Sequence, residues 1–227
     1  MLSLLYVIIL SYLVGSIPTS IIVSKLVKGI DIRNHGSGNA GGTNVMRVLG
    51  LKAGLIVILF DIFKGFAATV FVAKLMYSQF PFVNHTPLED FTLVQILTGS
   101  AATVGHIWTV FGGFKGGKGM ATAAGMLIGL APLDISIAIA VFAIVMFVSK
   151  YVSLGSISAA VAFPLTLFFR ENILHAEVEG YGTLIFFSIG IAILLIFTHR
   201  ANIKRLIEGR ENKITSFSFF KKKTSQN

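Results

Sequence analysis

The chain has 227 residues, 54% of them hydrophobic and 13% charged, with a mean hydropathy of +0.81. An average soluble domain is about 25% charged, so this composition excludes an ordinary water-soluble globule, and with it disorder, coiled coil and collagen. Nineteen Lys and Arg against ten Asp and Glu give a net charge of +9, which on a membrane chain first concerns sidedness and not nucleic acid. No cysteine is present, so disulfides, a thiol nucleophile, Fe–S clusters and Cys-ligated zinc are excluded.

A hydrocarbon core of about 30 Å takes about 20 apolar residues as helix. The first such run is 1–24. No positive segment precedes it and no clear small-residue cleavage site follows, so it reads as a retained span. Further runs are 53–76, 92–111, 120–131, 135–149, 155–169 and 181–198. The expectation is an all-α integral membrane protein of about seven transmembrane helices. Runs 120–131 and 135–149 are short, which fits tilted half-spans or a re-entrant pair. With the N-terminus outside, sixteen of the nineteen basic residues fall on the cytoplasmic side, and six of the ten acids fall outside. Cytoplasmic Lys and Arg set orientation, so the C-terminus is expected inside. Residues 1–214 read as one polytopic domain. Residues 215–227 read as a basic tail, with Phe217, Phe219 and Phe220 beside Lys221–Lys223 as an interfacial anchor.

In so apolar a chain the polar and glycine clusters are the informative part. The first is His35-Gly36-Ser37-Gly38-Asn39-Ala40-Gly41-Gly42-Thr43-Asn44-Val45-Met46-Arg47. Glycines let backbone N–H groups converge on an anion, and Ser37, Asn39, Thr43 and Asn44 add neutral donors. Arg47 adds a planar fork suited to phosphate. Thr43 or Asn44 is expected to cap a helix starting near Val45. The competing reading is a flexible polar loop.

The second cluster is Gly112-Gly113-Phe114-Lys115-Gly116-Gly117-Lys118-Gly119, running into Met120-Ala121-Thr122. Two lysines among glycines at a helix start suit a phosphate. The text nearly matches a Walker A pattern, but Gly119 stands where a Ser or Thr must hold magnesium, and the flanks are membrane helices. The nucleotide reading is rejected. A pair of snorkelling lysines would explain Lys115 and Lys118 but not the glycines.

The third cluster is split between Tyr151-Val152-Ser153-Leu154-Gly155-Ser156 and the stretch from Thr198 to Glu211, in which His199 and Asn202 share a helix face. Asp61 and Lys64 lie inside a predicted span at i,i+3. Ionisable groups at that depth are costly and mark either function or a mutual bridge. His85-x4-Asp90 has the spacing of the acyl-CoA and acyl-carrier-protein dependent glycerolipid acyltransferases. It sits in an acidic outer loop away from the basic clusters and is set aside.

Taken together, the three inner clusters resemble the PlsY family, the bacterial acyl-phosphate:glycerol-3-phosphate acyltransferases. The resemblance is carried by Gly36-Ser37-Gly38-Asn39 through Asn44 and Arg47. Gly105-His106 follows, with Phe114-Lys115-Gly116-Gly117-Lys118-Gly119 and Ala121-Thr122. Then come His199-x2-Asn202-Ile203-x-Arg205-Leu206, Gly209 and Glu211. Asp61-x2-Lys64-Gly65 also fits. Ala40 and Trp108 stand where proline is common. The ordered set covers residues 2–211.

The resemblance implies seven membrane helices, a bacterial inner-membrane location and a site facing the cytoplasm. It implies transfer of an acyl chain from acyl phosphate to the 1-hydroxyl of glycerol 3-phosphate, giving lysophosphatidic acid and phosphate. Carried over by residue, Ser37, Arg47, Lys118, His199 and Asn202 form the catalytic set. Gly38, Asn39, Asn44, Lys115, Gly116, Gly117, Gly119, Ser153 and Ser156 bind substrate. Asp61, Lys64 and Glu211 are structural, with Glu211 pairing with Arg200 or Arg205. Expected partners are the two substrates, membrane lipid and the enzyme that makes acyl phosphate; nucleic acid is not expected, and oligomeric state stays open.

No Cys, G-x-S-x-G elbow or Ser-His-Asp order offers a covalent nucleophile. Acyl phosphate is already activated, so direct attack suffices, with cations stabilising the developing charge. The base is His199 or a phosphate oxygen of the substrate. A site crowded with cations should depress a histidine's basicity, which favours the phosphate. His106 and His199 have no carboxylate at ligand spacing, so no metal or other cofactor is expected. The rival is a transporter or channel for phosphorylated anions. Its usual internal repeat is absent, and the donors cluster on one side.

Overall fold

The computed structural model describes residues 2–75, 83–85 and 88–214. The expected tail anchor at Phe217–Lys223 lies outside the described residues. Among those described, every regular element is helical.

Helix α1 (Leu2–Ser16) stops just ahead of Pro18. Proline has no N–H and pushes Ile17 out of helical geometry. The chain restarts as α2 (Thr19–Lys28), closed by Gly29 in the left-handed region at φ 68°. The single run expected over 1–24 is therefore two helices with a break. A 3-10 turn (Ile32–Asn34) and a loop lead to α3 (Gly42–Leu49). Neither Thr43 nor Asn44 caps it: it starts after Gly41 with no side-chain cap, and Asn44 is buried in its first turn. Gly50 turns the chain into α4 (Leu51–Ala67), which passes through a π turn (Ala68–Val72) into α5 (Ala73–Leu75). The remaining helices are α6 (Asp90–Ile107), α7 (Met120–Leu130), α8 (Pro132–Ser149), α9 (Val152–Asn172), α10 (Tyr181–Thr198) and α11 (Arg200–Ile207).

Among the described residues, five helical segments are long and apolar enough to cross a membrane: Ser3–Lys28, Leu51–Leu75, Pro132–Ser149, Val152–Asn172 and Tyr181–Thr198. Helix α6 has 18 residues, but Gln95, three threonines and His106 lower its hydropathy. Helix α7 has 11 residues, about 16 Å of rise, roughly half the hydrocarbon core. Of the two runs expected to be short, only this one is. Helix α8 starts at Pro132, a residue that suits a first helical turn, and reaches 18 residues.

Three close pairs build the bundle: α1 on α6, α4 on α7 and α8 on α9, with α10 against α9. The main core lies among α7–α10 and includes Met126, Leu127, Ile135, Phe163, Leu167, Ile191 and Leu195. Outward faces carry exposed Leu5, Phe60, Phe63, Ile144, Phe186 and Ile193, as a lipid-facing surface requires. Asp134 at the start of α8 meets Arg170 near the end of α9 at 2.6 Å.

Helices α4 and α7 approach backbone to backbone. A Cβ on Gly65 would lie 2.0 Å from the Thr122 carbonyl oxygen, and one on Gly125 would lie 1.9 Å from that of Ile62. Glycine here removes the side chain that would hold the helices apart. Gly65→Ala and Gly125→Ala should each destabilise the folded chain by about 1–3 kcal/mol through overpacking. Gly190→Ala, with nothing within 4 Å, should not. Thermal midpoints in detergent check this; equal midpoints for all three would show that the crossing has slack.

Candidate active site

The three inner clusters meet at one end of the bundle around a cavity of about 120 Å³. Its wall takes Ser37, Asn39 and Arg47 from the first cluster, Lys118 and Gly119 from the second, and Ser153, Ser156, His199, Asn202 and Glu211 from the third. Asp61 and His106 also line it. Asp90 opens α6, sixteen residues before His106 in the same helix and about 24 Å away by helical rise, and His85 precedes that helix. Their exclusion from the site is physical as well as statistical.

Asn44 organises the first loop from inside. Its amide donates to the carbonyls of Ile32 (3.2 Å), His35 (2.9 Å) and Asn39 (3.1 Å), and its oxygen accepts from the Ser37 N–H at 2.8 Å. Arg47, one helical turn on and exposed at the mouth, reaches the same oxygen at 3.5 Å. Asn44 shapes the loop that presents Ser37 and Asn39. Gly38 does not line the cavity; its φ of +74° serves the turn.

The second loop divides the residues expected to bind. Lys118 lines the cavity and Lys115 does not. Lys115 is exposed, and its carbonyl faces the Arg33 guanidinium, which also donates to the Gly112 carbonyl at 2.6 Å. The backbone N–H groups of Gly116 and Gly117 are taken by the carbonyls of Ile107 (3.0 Å) and His106 (3.1 Å), so they do not cradle an anion. These glycines are needed for contact: a Cβ on Gly116 would lie 2.0 Å from the His106 carbonyl oxygen.

Lys118 donates to Asn202 Oδ1, and Thr198 Oγ1 donates to the Lys118 carbonyl at 3.0 Å. The Asn202 amide donates to Glu211 Oε1 at 2.7 Å, Ser153 Oγ reaches the same oxygen at 3.0 Å, and Arg205 Nε holds Oε2 at 2.7 Å. Glu211 thus pairs with Arg205 and not Arg200, and orients the polar side chains that face the cavity. Burial works against its charge, yet Arg205, Asn202 and Ser153 hold it below the usual carboxylate range. Burial pushes the Lys118 ammonium down to about 8; the Glu211 charge opposes this, while Arg205 and Arg47 add to it. Burial, and then the Lys118 charge, push His199 down to about 4. Its Nδ1 lies 2.8 Å from the Leu195 carbonyl oxygen, which can only accept. Nδ1 therefore carries the hydrogen, and Nε2 carries the lone pair.

His106 was not among the expected site residues. Its Nδ1 lies 3.5 Å from Asp61 Oδ1, the oxygen that also receives Lys64 Nζ at 2.9 Å and the Thr19 hydroxyl. Lys64 does not line the main cavity and donates to the Ile17 carbonyl at 3.0 Å, at the break between α1 and α2. Among the described residues no group of three His, Asp or Glu side chains is placed to hold a metal ion.

A second, apolar cavity of about 270 Å³ runs among α4, α7, α8, α9 and α10. It shares Thr43, Ile58, Met120, Ala121, Val152 and Ser156 with the polar one.

Residues 5–209 match the family model described as glycerol-3-phosphate acyltransferase. The chain belongs to that family. The glycerol-3-phosphate acyltransferase of Chlorobaculum tepidum is 48% identical over 235 residues, covering 95% of this chain and 98% of that one. That of Chlorobium phaeovibrioides is 47% identical over 237 residues, with coverage of 95% and 98%. Among solved structures, the integral membrane glycerol 3-phosphate acyltransferase PlsY (YgiH) in its glycerol 3-phosphate form superposes with a TM-score of 0.78 at 37% identity, over 93% of this chain and 96% of that one. Its lysophosphatidic acid form gives 0.76 at 36%, over 93% and 95%. Family membership decides for an acyltransferase over an anion transporter, and for the PlsY resemblance read from the three clusters.

The cation at the cavity sets a pH limit. Above about pH 8 the free chain loses the Lys118 charge, so kcat/KM for glycerol 3-phosphate should fall as pH rises through that value. In Lys118→Arg, whose charge does not titrate in this range, the fall should vanish whatever the residual rate. Steady-state kinetics from pH 6 to about 9.5 measure this; a fall that persists in the variant assigns it to another group.

Proposed function

We propose that this chain transfers an acyl group from acyl phosphate to the 1-hydroxyl of glycerol 3-phosphate, releasing lysophosphatidic acid and inorganic phosphate. The observation that carries the reading is the wall shared by a polar, cationic cavity and an apolar one. A substrate with a phosphate at one end and a hydrocarbon chain at the other fits that pair. Burying the chain contributes about 0.8 kcal/mol per CH₂, while Arg47 and Lys118 supply phosphate register. Acyl-CoA would bring a large polar group for which the 120 Å³ cavity has little room.

The chemistry follows from the site. The glycerol hydroxyl oxygen attacks the acyl carbonyl carbon, forming a C–O bond. The bond from that carbon to the phosphate oxygen breaks, and phosphate leaves with the electron pair. Lys118 and Arg47 stabilise charge on the carbonyl oxygen and phosphate. The hydroxyl proton passes to a phosphate oxygen. His199, held near 4, is too weak a base to compete, and its Nε2 orients the hydroxyl. Ser37 and Asn39 add donors to the glycerol 3-phosphate, and Asn202 holds the Lys118 ammonium in place. Residues 1–214 act as one domain in a bacterial inner membrane. The basic loops around the cavity support a site on the cytoplasmic side.

Purified chain in detergent should release phosphate from palmitoyl phosphate only when glycerol 3-phosphate is added, and should give no product from palmitoyl-CoA. The reverse preference overturns the donor assignment. Arg47→Lys should lower kcat/KM at least about tenfold in a folded protein, because a point charge does not replace a planar fork. Unchanged kinetics would remove Arg47 from the site.

A further inference from the structure

We propose that His106 is a positioning residue for the transfer: clamped by Asp61, it sets the path of the 116–119 loop and, through it, the place of Lys118. The proposal rests on Lys118 acting at the phosphate, as read above.

Asp61 is 2% exposed, and three donors from three helices converge on its Oδ1. Lys64 belongs to its own helix, Thr19 to α2 and His106 to the last turn of α6. A buried carboxylate held this way is a fixed point. It fixes the His106 ring by Nδ1, and the ring's other nitrogen faces the loop. A Cβ on Gly117 would lie 2.2 Å from His106 Nε2 and 2.8 Å from the Ala40 carbonyl oxygen. Gly117 therefore sits between the ring and the first loop with no space to spare. The N–H groups of Gly116 and Gly117 bond to the carbonyls of Ile107 and His106, so ring and backbone hold the loop together. Lys118 is the next residue. On its far side Thr198 holds its carbonyl and Asn202 receives its ammonium. The lysine is gripped from α6 on one side and from α10 and α11 on the other.

His106 also lines a small cavity of about 10 Å³ with Lys64, Thr109, Gly116 and Gly117. Removing the ring would join this space to the main cavity and leave Gly117 without its stop. A displacement of about 1 Å in a catalytic group costs about 10²-fold in rate. A ring that only fills the end of a helix would instead affect stability alone.

The test is a double-mutant cycle on the full chain in detergent. His106→Ala should lower kcat at least about tenfold where Lys118 is present, but less than about threefold in a Lys118→Arg background. Hydrogen exchange in the apo chain adds a readout that needs no acyl donor. The 115–119 amides should exchange faster in His106→Ala, while those of 94–103 in α6 stay protected. Should His106→Ala fail to fold, Asp61→Asn, which loosens the clamp and keeps the ring, carries the same comparison. Equal losses in both backgrounds, no loss, or unchanged loop exchange would overturn the proposal. Failure of the wild-type chain to use acyl phosphate would overturn the donor assignment, and the exchange result would still decide for or against His106.

Discussion

A carboxylate buried among apolar helices is expensive to keep charged, and the site-bearing end of this molecule is arranged around meeting that requirement. Asp61 receives Thr19, Lys64 and His106, so α2, α4 and α6 are tied at one oxygen. The tie needs the break at Pro18. At that break the Ile17 carbonyl accepts from both the Thr19 N–H (3.0 Å) and Lys64 Nζ (3.0 Å), instead of from a helical partner four residues on. Beside it, the close crossing of α4 on α7 sets Thr122 and the start of α7 against Gly65. The loops that carry the chemistry are hung on these fixed points.

The first and third loops follow one plan. In each, a buried polar side chain spends its hydrogen bonds on backbone or on a neighbour, so that another residue is presented to the cavity. Asn44 does this for Ser37 and Asn39, and Glu211 for Asn202 and Ser153. A site of this kind is preorganised, and its cations need no reorganisation when phosphate charge develops. The depressed basicity of Lys118 and His199 is the electrostatic counterpart: positive charge is crowded and partly desolvated, which favours an anionic ligand.

Much of this was legible from residue types alone. Polarity in an apolar chain is rare enough to be informative, so Arg47, Lys118, His199 and Asn202 stand out and do converge. Glycine was harder to read, because one residue serves two purposes. Gly116 and Gly117 looked like an anion cradle, but they are glycine so that the loop can touch α6. Asn44 looked like a cap or ligand and is a loop scaffold. His106 was passed over because its carboxylate, Asp61, lies far away in the chain. Spacing reports only local partners, and the contact exists only once α4 and α6 have packed. The expected length of α8 failed for a local reason: a hydropathy window stops at Asp134, whereas Pro132 starts the helix and Arg170 accommodates the acid.

The wall shared by the polar and apolar cavities also bears on turnover. In the proposed reaction the two substrates occupy the cavities as separate molecules. Lysophosphatidic acid joins their anchoring groups covalently, so its headgroup and tail hold each other in place by effective concentration. Phosphate, carrying no tail, departs freely. On that reaction the lipid product, held at both ends, leaves more slowly than the phosphate released with it.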